Sequence, residues 1–192
     1  MGNGRFNYEQ LHYAFDVTLD NAKQLQEEAY ILYVFEHYAR SYSLYQFSIE
    51  EVGKCIIFLT ALLFLLKGKM VDEKLLMDLG FRYHQKKTLG SLGAEKILLD
   101  FFQKNSNTDL SVLYEDLEWE QKNINVTNDL KNNSLYVSII DETFQTPKDL
   151  ITKEMVEEIA FKADLRIKGV GPMFPNESQL KVLQQYINIS DL

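Results

Sequence analysis

The segment 82–87, RYHQKK, holds the side chains of this sequence best suited to chemistry on a phosphodiester. Histidine exchanges protons near neutral pH, so His84 could take the proton of a ribose 2′-hydroxyl or protonate a leaving 5′-oxygen. A neighbouring cation, Lys87 or Arg82, could stabilise the charge that develops on the phosphorane. Such a reaction needs no metal, and the same cationic segment is the best candidate for a phosphate-binding patch.

Helical spacing predicts which of these cations can assist His84. On a helix, Arg82 and His84 point about 200° apart, whereas His84 and Lys87, at i and i+3, share one face. We therefore expect Lys87 to matter more than Arg82 if the segment forms a pocket. The alternative interpretation is that His84 is a solvated histidine in a basic surface segment.

A second group of charges lies on a long helix that we predict from Glu36 to Lys67. Arg40, Glu50 and Lys54 fall on one face of this helix, where Glu50 and Lys54 could pair at i and i+4 and Glu51 and Lys54 at i and i+3. A solvated pair of this kind contributes only roughly a few tenths of a kcal/mol to stability. The helix turns apolar directly afterwards, however, and buried charges need partners. We therefore expect a connected polar network at a pocket or interface.

The elements that must position these groups are predominantly helical. Three-and-four spacing of apolar residues and plausible caps predict helices over 18–35, 36–67, 71–79, 81–104, 110–130, 152–167 and 177–186. Gly90 and Gly93 could interrupt the helix at 81–104, and Gly169 is expected to end the one that begins at 152. We expect the central helix to bury Ile49, Val52, Ile56, Leu59, Leu63 and Leu66.

The segment 134–140, SLYVSII, departs from the helical pattern. It is rich in β-branched and aromatic residues, and turn-forming residues follow it closely. We predict a short irregular or β arm near 134–148. The fold class predicted from the whole pattern is all-α, a helical bundle around a long central apolar helix.

Composition limits both the architecture and the compartment. A chain of 192 residues with 46% apolar and 25% charged residues favours one globular domain over 1–192, with C-terminal helices at 152–190 packed on the rest. The formal charge of -8 opposes nucleic-acid binding over the whole surface and leaves room only for a local basic patch. A single cysteine, the lack of a signal-peptide pattern and an apolar run too short to span a bilayer favour the cytoplasm.

Several short motifs occur in a fixed order along the first three quarters of the chain. They are NA at 21–22, EA at 28–29, YARSYSL at 38–44, SIEEVGK at 48–54, RYHQKK at 82–87, SLYV at 134–137 and TPK at 146–148. Together they resemble the motifs of AbiV proteins, a bacterial abortive-infection family, over about residues 20–158. Each motif is weak alone, whereas their order makes the resemblance fairly specific.

This resemblance implies an α-helical fold related to the HEPN superfamily. Many HEPN proteins are metal-independent endoribonucleases that act as dimers through an Arg, a polar residue, a few spacers and a His. This sequence departs from that pattern, because His84 follows Arg82 after a single intervening residue. The one Arg followed by a His after six spacers, Arg5 with His12, lies at the N-terminus, and we treat it as coincidence.

Two functions are expected on this basis. The first is an antiphage effector that arrests growth or translation in infected bacteria through metal-independent endoribonuclease activity, with His84, Lys87 and Arg82 as catalytic residues. The second is a non-catalytic effector that blocks translation by binding protein or RNA after activation by a phage-encoded protein. Both expectations include a homodimer, no cofactor and no membrane association. A cleft shared by His84 and a basic residue would favour the first.

Overall fold

The computed structural model describes residues 5–106, 108–176 and 178–182. Its elements are α1 (Tyr8–Val34), α2 (Tyr38–Leu66), α3 (Glu73–Asp78), α4 (His84–Asn105), α5 (Ser111–Lys122), α6 (Ile124–Leu135), β1 (Ser138–Ile140), β2 (Thr143–Gln145), α7 (Pro147–Leu150) and α8 (Lys153–Val170). The two strands pair antiparallel as a hairpin. This architecture confirms the predicted all-α bundle with a short β arm between 134 and 148.

Helix α2 is the centre of the bundle, with α1, α4, α6 and α8 packed around it. Other helices can pack on several sides of α2 because it carries apolar residues on more than one face. Among the described residues, no helix is both long enough and apolar enough to cross a lipid bilayer.

The predicted buried stripe of α2 is only partly correct. Ile49 and Val52 are buried, but Leu63 is 48% exposed, and Ile56, Leu59 and Leu66 are only partly covered. The predicted positions follow a seven-residue repeat and so stay on one side of the helix, whereas the second half of α2 packs against α1 through other positions. The residues buried there are Cys55, Ile57, Phe58, Ala61 and Leu62.

Local hydrogen bonds explain where the helix boundaries differ from the prediction. Helix α1 starts about ten residues before Thr18, because Asn7 and Gln10 form a reciprocal capping box at 2.9 and 3.0 Å. The helix predicted over 110–130 is two helices, α5 and α6, separated at Asn123. Of the helix predicted at 177–186, residues 178–182 are helical, and the remainder lies outside the described residues.

Two glycines allow α4 to approach its neighbours closely. A Cβ on Gly53 would overlap the backbone carbonyl of Lys87, and one on Gly169 would overlap that of Ala94. Gly169 therefore lies within α8 and does not end it, and Gly90 and Gly93 leave α4 uninterrupted. The contact at Gly53 places the first turn of α4 directly against α2.

We expect Gly53→Ala to destabilise the protein by about 1 to 3 kcal/mol, because the new methyl group must displace the Lys87 backbone. Gly93→Ala is the matched control, since Gly93 lies in the same bundle with nothing within 4 Å of its Cβ position. The control should raise stability by up to about 1 kcal/mol through helix propensity. Urea unfolding would measure both, and equal effects would refute the close-approach argument.

Candidate functional site

A buried carboxylate on α2, Glu50, gathers side chains from two other helices. Its Oε2 lies 2.5 Å from His84 Nδ1 and 2.9 Å from Lys87 Nζ, both in the first turn of α4. Its Oε1 accepts a hydrogen bond of 2.9 Å from Lys131 Nζ on α6. We call Glu50, His84, Lys87 and Lys131 the Glu50 cluster.

The Glu50 cluster places one carboxylate against two ammonium groups in a buried setting. Glu50 is only 2% exposed, and both lysine side chains are also buried. Burial alone would raise the pKa of Glu50, but hydrogen bonds from His84, Lys87 and Lys131 outweigh it and hold that pKa below its usual value. Glu50 is therefore a carboxylate at neutral pH. Since a carboxylate only accepts hydrogen bonds, His84 Nδ1 carries a proton.

Packing between helices brings the Glu50 cluster together. The close contact at Gly53 brings the start of α4 to Glu50. Helix α6 is tied to the same face of α2 by a buried hydrogen bond of 2.6 Å between the hydroxyls of Ser43 and Ser134. Farther along this face, Arg40 Nη1 donates to the carbonyl of Leu135 at 3.4 Å. The part of the predicted polar face that carries Arg40, Ser43 and Glu50 thus contacts α6, and Arg40 lies at the exposed end of that contact.

His84 connects the buried cluster to the surface. Its side chain is 54% exposed and lines a shallow cleft of about 250 Å³ with Arg82, Tyr83, Gln85 and Asn128. Because Nδ1 faces Glu50, Nε2 is the ring nitrogen available for proton exchange. This arrangement, a histidine oriented by a buried carboxylate, is one that supports general acid–base chemistry.

The structure separates the two cations considered as partners of His84. Lys87 is buried in the Glu50 cluster, whereas Arg82 lies in the turn before α4, exposed, with Nη2 3.8 Å from Glu73. Helix α4 begins at His84, so helical spacing does not govern Arg82, and Arg82 shares the cleft with His84. Lys87, although on the predicted face, directs its ammonium group to Glu50.

The single network predicted for Glu50, Glu51 and Lys54 is divided into two. Lys54 Nζ contacts Glu51 Oε1 and lies 5.4 Å from the centre of the Phe81 ring. Among the described residues, no ion pair joins Lys54 to Glu50. Lys54 is on the Glu51 side of α2, while the Glu50 carboxylate is saturated by groups from α4 and α6.

A second buried charge network was missed by the sequence prediction. Arg166 on α8 is fully buried and donates to Glu95 at 2.8 Å, to Glu120 at 2.7 Å and to Ser91 Oγ at 3.2 Å. Lys162 extends it with contacts to Asp116, Glu120 and Glu158 at 3.0, 3.5 and 2.8 Å. Burial would raise the pKa of Glu120, but Arg166 and Lys162 lower it. We call these residues the Arg166 network.

One sequence signal could have identified Arg166, but none was available for Lys131. Arg166 occupies a position in the apolar stripe of α8, where Val156, Ile159, Ala163 and Val170 recur at three-and-four spacing. A charge in such a stripe must be partnered if the helix packs. Lys131, in contrast, lies in the polar run NDLKNNS, which is typical of a solvated surface.

The lowered pKa of Glu50 predicts a pH dependence of stability. Its interactions stabilise the folded protein above the ordinary carboxyl pKa of 4.5, and this contribution is lost as the pH falls toward the lower folded-state value. We expect Glu50→Gln to be less stable than the unaltered protein near neutral pH. The difference should shrink from about pH 5 to pH 3 in urea unfolding. A difference that stays constant over that range would contradict the assigned ion pairs.

Within the described part of the chain, no group of three or more His, Cys, Asp or Glu side chains is placed to hold a metal ion.

Comparison with known proteins identifies a family. No curated protein and no solved structure matches the chain. A family model described as AbiV matches residues 10–167, which include every member of the Glu50 cluster and of the Arg166 network. The chain therefore belongs to the AbiV family of HEPN-type abortive-infection proteins.

Proposed function

We propose that this protein arrests growth or translation in phage-infected bacteria by cutting RNA at the cleft beside His84. The observation that carries the proposal is the position of His84 between two environments. One ring nitrogen is held by the buried carboxylate of Glu50, and the other side of the ring lines a surface cleft with Arg82. The cleft thus combines a proton-exchanging group with a cation that can bind phosphate.

The proposed reaction is an internal transesterification of RNA. His84 Nε2 accepts the proton of a ribose 2′-hydroxyl, and the 2′-oxygen forms a bond to phosphorus. The bond from phosphorus to the 5′-oxygen breaks, and the protonated imidazole returns the proton to that oxygen. The products are a 2′,3′-cyclic phosphate and a 5′-hydroxyl. Arg82 neutralises charge on the phosphoryl oxygens during the step.

Lys87 and Lys131 have a positioning role in this proposal. Both are buried and both contact Glu50, so neither ammonium group reaches a bound RNA in this conformation. They keep Glu50 ionised, and the ionised carboxylate holds the His84 ring and the proton on Nδ1. The Glu51–Lys54 pair lies outside the cleft and has no assigned step.

Incubation of the purified protein with total cellular RNA in chelator tests the proposal. One arm contains lysate from phage-infected cells and the other lysate from uninfected cells, so that a phage-encoded activator is detected if one is needed. We expect new RNA fragments in the infected arm or in both arms. Intact RNA in both arms, with a protein that still protects cells, would favour a non-catalytic effector.

The β arm favours this second candidate, a non-catalytic effector that blocks translation by binding. The arm exposes large apolar side chains, Tyr136 and Val137 just before the hairpin and Ile139 and Phe144 within it. Exposed apolar groups clustered on one small element are typical of protein-binding surfaces. In this case the phage-encoded protein or the translation machinery would be the partner.

HEPN domains commonly dimerise, and we expect this chain to form a homodimer. The exposed apolar hairpin supplies surface that a second copy could bury around a twofold axis. Light scattering at micromolar concentration should give twice the chain mass of 22.4 kDa. Ile139→Asp should shift the mass toward the monomer, while Ile97→Asp, an exposed change on α4, should leave it unchanged. A monomer mass for the unaltered protein would refute the dimer.

A further inference from the structure

A cavity of about 160 Å³ lies between α2, α5, α6 and α8, and its lining shares no residue with that of the His84 cleft. This volume corresponds to about five water molecules at about 30 Å³ each. Its walls are the rings of Tyr42 and Trp119, several aliphatic side chains and a small set of polar groups. The polar groups are Gln46, Thr127, Glu120, Glu158 and Lys162.

Gln46 lines this cavity and carries an unpartnered acceptor. The side chain is 1% exposed, and its Nε2 donates to Thr88 Oγ1 at 3.2 Å, which fixes the orientation of the amide. Gln46 Oε1 is the one fully buried side-chain nitrogen or oxygen atom, among the described residues, without a hydrogen-bond partner. A buried unsatisfied acceptor is costly unless something donates to it. The structure therefore contains a binding group that its own fold does not use.

The other polar groups of the cavity also offer acceptors. Glu120 contacts both Arg166 and Lys162 through Oε2, which leaves Oε1 for another donor. Glu158 contacts Lys162 through Oε1 and leaves its second oxygen in the same way. The ammonium of Lys162 has three N–H donors, and three carboxylates already accept from or contact it. The cavity thus lacks a free cation and has acceptors to spare.

We propose that this cavity binds a small organic cation with a flat head rich in N–H groups, of the alkylguanidinium or amidinium class. The head donates to Gln46 Oε1 and to the free oxygens of Glu120 and Glu158, and its positive charge offsets the acidic lining. Trp119 provides an aromatic face for a planar cation, and its half-exposed position lets an alkyl tail leave toward solvent. This site is distinct from the one proposed for RNA cleavage.

Trp119 makes the proposal directly measurable, because it is the single tryptophan of the chain. Agmatine is the probe, and its binding should change tryptophan emission in a saturable manner. Butylurea, which has a flat N–H head without charge, and putrescine, which has charge without a flat head, are the ligand controls. We expect each control ligand to bind at least roughly tenfold more weakly than agmatine, because a charged hydrogen bond is lost.

Gln46→Leu should weaken agmatine binding by roughly ten- to hundredfold, because it removes the buried acceptor. Glu158→Gln, at the exposed rim, should also weaken agmatine binding. It provides the test of the cavity if Gln46→Leu does not fold. Gln24→Leu, an exposed change on α1, is the matched control and should bind normally. The proposal is overturned if agmatine gives no saturable response, if butylurea binds equally well, or if the cavity variants bind like the unaltered protein.

Discussion

Replacing His84 with Ala, in a protein that still folds, is expected to lower RNA cleavage by roughly 10² to 10⁴ and to abolish protection against phage. The imidazole is the proposed proton carrier, and its Nδ1 is already committed to Glu50. The effect can be measured as the single-turnover cleavage rate with purified protein and as phage plating efficiency on cells that express each variant at equal level.

Two further variants make the His84 result specific. His37→Ala removes an exposed histidine at the start of α2 that makes no contact with Glu50, and it should leave both readouts unchanged. Arg82→Ala should slow cleavage while leaving the fold intact, since its partner Glu73 is exposed. Full protection by His84→Ala would mean that the segment 82–87 is ordinary solvated surface.

Arg166→Met is expected to lower the free energy of unfolding by about 3 to 5 kcal/mol. It leaves Glu95 and Glu120 buried without the guanidinium that contacts both of them. Such a penalty comes from the stranded carboxylates, because a methionine of similar length can fill the space. Chemical denaturation with urea would measure the change in unfolding free energy.

A combined variant distinguishes stranded charge from lost packing. Adding Glu95→Gln and Glu120→Gln to Arg166→Met removes the two carboxylates, so most of the lost stability should return. Arg40→Met, an exposed substitution of the same type, should change stability by less than about 0.5 kcal/mol. If the triple variant were as unstable as Arg166→Met alone, the loss would come from packing and the charge argument would fail.

Local sequence patterns predicted the elements of this protein better than they predicted its contacts. Helix α2 lies within two residues of its predicted ends, because an uninterrupted apolar pattern and a terminal Gly68 define it locally. Glu50 was identified as a buried charge needing partners, and His84 as a proton-exchanging group. That these two residues meet depends on the crossing of α2 and α4, which local spacing does not contain.

The predicted partner of Glu50 illustrates the competition between local and distant contacts. Lys54 is one turn away and could pair with it at i and i+4, yet Lys54 pairs with Glu51. Two of the three distant donors, His84 and Lys87, reach Glu50 because Gly53 lets the backbone of α4 approach so closely, and Lys131 reaches it from α6. A buried carboxylate is better satisfied by several fixed donors than by a single pair with Lys54.

The central claim is that His84 cuts RNA, and end-group analysis of RNA from phage-infected cells tests it most directly. Cells with the unaltered protein should accumulate RNA fragments with 2′,3′-cyclic phosphate and 5′-hydroxyl ends, and cells with His84→Ala should lack them. Phage protection by the unaltered protein without any such ends would contradict the claim.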